Sequence, residues 1–275
     1  MARKNTLAPS TPGHFYELFI EASEQVDRLF DEVAQRAKAN PTSATWNAFA
    51  IASTIGCRHL RVARLLFESG WAPETRLPLR GAWESAIDLA FLMSGTERYE
   101  RARKYVAMML LRYPNLLTNA STPVPPAFEE RLRRLGLDKA RSDFGNDPGV
   151  KAEHWSGLHK SKVREAAAKY LEEHLQHVGA RGRQYVAGLI KGTKDAVFDT
   201  GSTFVHSDPA SYVVIASGTP LTRAAEALPW DIGGAEPAIA CTVATLIVIP
   251  LAHRLRRLEV AEQLSKRFHG LVIRG

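Results

Sequence analysis

The sequence predicts an all-α protein: a helical bundle with an irregular Pro/Gly-rich insert between its N-terminal and C-terminal helices. Three observations predict it. Apolar residues recur at intervals of three and four through most of the 275 residues, the period of a helix with one buried face. Strand-like alternation is confined to "SYVVIAS" at 211–217, too short to imply a sheet. Cap and stop residues punctuate the helical runs where helices need them.

The elements follow in order. Phe15, Phe19, Ala22, Val26, Leu29 or Phe30, and Val33 form the apolar stripe of a first helix, ended by Asn40 and Pro41. Thr42 and Ser43 are placed to cap a second helix over about 44–69, which stops at Gly70. A third helix runs over about 75–93, with Pro78 near its first turn and Gly95 past its end. Thr96 caps a fourth. Its acidic residues, Glu97 and Glu100, come early and Arg112 comes late, which suits the helix dipole, and Pro114 is expected to close it. The insert, about 114–160, is rich in Pro, Gly, Asn, Ser and Thr around a short basic helix at 129–135. Helices resume over about 161–178 and 183–206. A last helix over about 235–268 is predicted to bend at Pro250. Neither half shows a fold pattern of its own, so residues 1–275 read as a single helical domain.

Bulk properties narrow the function classes. Lys and Arg number 36 against 29 Asp and Glu, a formal charge of +7. That balance is compatible with a polyanionic partner, but its spread-out basic clusters read first as solvated helix faces. Two cysteines, Cys57 and Cys241, and an N-terminus without an apolar signal core lead to the expectation of a cytoplasmic protein. The run "AIACTVATLIVIPLA" at 238–252 is the most apolar stretch. It is shorter than the ~20 residues a membrane span requires, so it reads as a buried core helix and no span is predicted. No GxxxxGK[ST], HExxH, CxxC or Glu-x-x-His pattern occurs, so no metal or cofactor is expected. His174 and His177 lie three apart, as a metal pair or as solvated histidines, with no third ligand at a suitable spacing.

Two rows carry candidate chemistry. Arg80, Glu84, Ile87 and Phe91 fall on one narrow helical arc, which sets an Arg–Glu pair at the edge of an apolar face. It reads either as an Arg held by Glu84 and aimed into a cleft, or as an ion pair that fixes helix register. Asp195, Asp199, Ser202 and His206, spaced four, three and four, form a second stripe. It reads as a solvated face, or as a site in which His206, at a helix C-terminus, is the acid or base beside Ser202 and the two carboxylates.

"RGAWESAIDLAFL", "HWSGL" at 154–158 and "STFVHSDPASY" together resemble an uncharacterised bacterial family of all-helical proteins. The shared pattern is Arg-x-x-x-Glu, then Trp-x-Gly, then Ser-x-x-x-His: here Arg80, Glu84, Trp155, Gly157, Ser202 and His206. The chain is more distantly similar to HEPN domains, helical bundles of toxin–antitoxin and antiviral systems. Many of those are metal-independent ribonucleases that use an Arg followed by four to six residues and then a His. His206 matches that His, but positions 199–201 are Asp, Thr and Gly, so the Arg is missing.

Two functions are therefore expected as alternatives. One is a ribonuclease-like or phosphate-substrate enzyme of a bacterial defence or toxin system. In it Arg80 holds phosphate, Glu84 orients Arg80, His206 moves the proton, Ser202 assists, and Trp155, Asp195 and Asp199 contact substrate. The other is a non-catalytic helical binding module in which the same residues are a buried polar network. RNA or another phosphorylated ligand, and a second copy of the chain, are the partners these readings admit.

Overall fold

A computed structural model of the chain describes residues 11–71, 73–119, 126–152, 154–174 and 236–274. Among these are nine α-helices and no strand: α1 Thr11–Ala39, α2 Ala44–Glu68, α3 Arg76–Met93, α4 Arg98–Asn119, α5 Pro126–Arg134, α6 Leu137–Phe144, α7 Lys160–His174, α8 Glu236–Leu255 and α9 Leu258–Arg274. The all-α bundle expected from periodicity is what the chain forms.

The most apolar stretch is the centre of the fold. Cys241, Val243, Ala244, Ile247 and Val248 of α8 are fully buried. α8 is long and apolar enough to cross a membrane, yet 78% of its most apolar window is buried inside the protein. It packs on α1 and α3, and α2 closes the square against those same two helices. α4 lies on α2, α6 on α4, α7 on the outer side of α3, and α9 against α1 and α8. Two glycines allow close approach. A Cβ on Gly56 would meet Ser85 Oγ at 2.8 Å and Ile247 at 3.0 Å, where α2, α3 and α8 meet. A Cβ on Gly81 would enter the His59 ring at 2.4 Å. At one end Arg76 of α3, largely buried, pairs with Glu236 of α8, which is almost fully buried.

Local signals placed several boundaries well. Ser43 Oγ accepts from the Trp46 N–H, capping α2, and Gly70 takes a φ of 83° just beyond it. Three expectations differ. α4 runs through Pro114 to Asn119, because losing one N–H donor does not end a helix already anchored by four preceding turns. The insert is less irregular than its composition implies: α5, α6 and a 3₁₀ turn at Pro148–Val150 occupy much of it. The C-terminal helical run breaks at Arg256, not at Pro250, which sits inside α8. There the Arg256 N–H bonds the His253 carbonyl (3.2 Å) and the Arg257 N–H reaches the Ala252 carbonyl (2.7 Å). That is the paired closure of a Schellman motif, with Arg256 at φ 60° where glycine is usual. The stretches expected as a helix over 183–206 and as "SYVVIAS" lie outside the described residues.

Candidate functional site

A cleft lies between α3, the end of α4, the segment 154–158 and the first turns of α7. Its volume is about 210 Å³, and Trp83, Glu84, Ile87, Asp88, Arg112, His154, Trp155, Lys160, Val163 and Arg164 line it.

Each wall has a local cause. On α3, Glu84 and Asp88 are one turn apart and stand beside Trp83 and Ile87, which point into the core. On α7, Lys160 and Arg164 are also one turn apart, while Val163 is buried beneath them. α7 begins at Lys160, so the positive end of its dipole lies on the same side as these cations. The Arg164 guanidinium rests over the Trp83 ring at 5.1 Å.

Asp88 organises the floor. Its Oδ1 accepts from Trp155 Nε1 at 2.7 Å and from His154 Nε2 at 3.0 Å. The Ser156 backbone N–H points at His154 Nδ1 (3.2 Å), so Nδ1 is the acceptor and the ring proton sits on Nε2, facing Asp88. Ser156 Oγ is 2.8 Å from the same Nδ1 and accepts from the Leu158 N–H. Serine, histidine and aspartate are thus in line, yet the arrangement is a turn held on a carboxylate. Both ring nitrogens are engaged within the protein, and Ser156 does not line the cleft. Trp155 is buried edge-on against Tyr105 (4.9 Å) and Phe91 (5.6 Å). Burial, with the charge of Asp88, pushes the Tyr105 phenol well above its usual range.

The segment is fastened from below. Lys104 Nζ donates to the Ser156 carbonyl and pairs with Asp147, each at 2.7 Å, and Arg112 reaches the Ala152 carbonyl at 3.3 Å. Gly149 lies so close that a Cβ there would sit 2.0 Å from the Trp155 carbonyl oxygen. Gly157 turns the chain at φ 77°.

Of the expected site residues, Glu84 and Trp155 meet in this cleft. Arg80 stands one turn above it, 4.0 Å from Glu84, with a half-exposed partner. His206, Ser202, Asp199 and Asp195 lie outside the described residues, as does His177. His174 is engaged at the far end of α7. Its Nδ1 donates to the Tyr170 carbonyl (2.7 Å), and its ring lies tilted at 46° against His253 with centroids 4.1 Å apart. The Tyr170 hydroxyl meets His253 Nδ1 at 2.5 Å. Burial, then the neighbouring His174 and Arg98, lowers the His253 pKa to about 4. No group of three or more metal-ligating side chains occurs among the described residues.

Asp88, His154, Arg112, Lys160 and Arg164 were not singled out as site residues from sequence. Two i,i+4 pairs, Glu84/Asp88 and Lys160/Arg164, were there to be read. Only the packing of α7 on α3 shows that they face one cleft.

No family model, curated protein or solved structure matches this chain. The likeness to helical families rests on the motif residues alone; the described residues are all-helical.

Proposed function

We propose that the protein is a helical binding module whose α3–α4–α7 cleft takes a small phosphorylated ligand. The observation that carries this reading is the convergence of Arg112, Lys160 and Arg164 on one partly enclosed cleft, at the positive end of α7. Guanidinium and ammonium groups at a helix N-terminus favour phosphate oxygens through charge-assisted hydrogen bonds. Ser156, the hydroxyl on His154 Nδ1, does not line the cleft, and the other ring nitrogen is held on Asp88; this supports binding rather than proton transfer, because a general base and the group it serves must reach the substrate.

The test is thermal denaturation with inorganic pyrophosphate at constant ionic strength, for the native chain and for Lys160→Gln/Arg164→Gln. A saturable rise in Tm is expected for the native chain and its loss in the variant. Equal responses from both proteins, or none from the native chain, would sink the proposal.

A second reading, the ribonuclease-like enzyme, is favoured by one observation: Glu84, the ion-pair partner of Arg80, lines the cleft. It requires His206 at the same place. Incubating the native chain and His206→Ala with total RNA tests it, and equal negligible cleavage by both removes it.

A further inference from the structure

The cleft has two walls of opposite sign. α3 supplies Glu84 and Asp88; α7 and α4 supply Lys160, Arg164 and Arg112. A ligand that is only an anion satisfies the basic wall and leaves its other end against two carboxylates, which repel it. The site therefore asks for an anionic head and, at the opposite end, hydrogen-bond donors.

The nature of those donors follows from what the carboxylates already hold. Asp88 Oδ1 takes two N–H donors, from Trp155 and His154. Glu84 has the Arg80 guanidinium beside it. Both negative charges are partly compensated, so the remaining carboxylate oxygens call for neutral donors more than for another cation. Hydroxyl groups meet that need. Size narrows the class further. At about 210 Å³ the cleft falls below the ~300–1,000 Å³ of drug-sized sites. The buried Trp83 and Trp155 leave no open aromatic face for a base to stack on.

Resting on the phosphate reading above, we infer that the ligand is a small polyol phosphate: a phosphomonoester held by Lys160, Arg164 and Arg112, whose hydroxyls donate to Glu84 and Asp88.

The experiment is isothermal titration calorimetry of the full chain with glycerol 3-phosphate, n-propyl phosphate and O-phosphoethanolamine. The first two share a head group and chain length and differ in hydroxyls. Glycerol 3-phosphate is expected to bind more tightly than n-propyl phosphate by about 3- to 10-fold for each hydrogen bond formed. Glu84→Gln, at a half-exposed position that leaves the core intact, is expected to narrow that ratio. Equal affinity for glycerol 3-phosphate and n-propyl phosphate would overturn the inference while leaving the phosphate site standing. So would tighter binding of O-phosphoethanolamine, which would assign an amine. A ratio unchanged in Glu84→Gln and in Asp88→Asn would overturn it as well. Failure of all three compounds to bind would remove the phosphate reading itself.

Discussion

His253 shows how a residue's surroundings set its charge. It sits at the end of α8 with its ring against His174, its Nδ1 on the Tyr170 hydroxyl, and Arg98 near by. Burial comes first among the causes that hold it neutral down to about pH 4, against an ordinary value of 6.5. The folded chain thus binds fewer protons than the unfolded chain between those two values, so stability falls as pH drops from about 6.5 to about 4. His253→Gln removes this component. The native and variant Tm values are expected to converge across that window, the native chain losing more on acidification. Parallel pH profiles would show that His253 does not contribute. None of this was legible in "AHRLRRLEV", where His253 is one polar residue near a helix end. Its α7 partners, His174 and Tyr170, lie about 80 residues earlier, and sequence spacing carries no information about that meeting. Arg80 and Glu84 were legible because an i,i+4 pair is fixed by helical geometry alone.

At the scale of elements, caps and periodicity predicted helices well and their breaks less well. Gly70 and Gly95 mark ends because a residue in the left-handed region is cheapest as glycine. Arg256 breaks that rule. It closes α8 at φ 60°, so no glycine or proline advertised the true boundary, while Pro250 advertised a false one. A non-glycine residue in this region carries a backbone penalty. Arg256 is solvent-exposed. Arg256→Gly is therefore expected to stabilise the protein by about 0.5–1 kcal/mol, read as an increase in the urea midpoint at unchanged m-value. A lower midpoint would mean that the arginine side chain contributes more than its backbone costs. The insert was read as irregular because its composition is that of loops. Its structured part is specified by long-range ties instead: Lys104 to Ser156 and Asp147, Arg112 to Ala152, and Trp155 to Asp88. Gly149→Ala tests that fastening. Its Cβ collides with backbone, which cannot swing aside, so a loss of about 2 kcal/mol is expected. Pyrophosphate binding should weaken with it, as the segment carrying His154 and Trp155 shifts.

For the whole molecule, the pairing of α3 with α8 decides the architecture, and one buried ion pair marks it. Arg76 and Glu236 are 160 residues apart, and Glu236 is almost wholly shielded from water. Burial raises the Glu236 pKa and Arg76 opposes that rise. Arg76→Met would strand the carboxylate, at an expected cost of about 3–5 kcal/mol in denaturant unfolding. Adding Glu236→Leu should recover most of the loss, because an apolar pair replaces the buried charges. If Arg76→Met alone is neutral, the pair is not holding the two helices. By itself the sequence determined that the chain is helical, that 238–252 is a core segment, and that Arg80 and Glu84 share a face, because helix geometry and apolar burial act locally or through composition. The tertiary structure alone decided that α7 packs on α3. That packing turns two ordinary i,i+4 pairs, Glu84/Asp88 and Lys160/Arg164, into facing walls of one cleft. Their meeting depends on side-chain complementarity between segments 76 residues apart (84 to 160, 88 to 164), which no local pattern encodes.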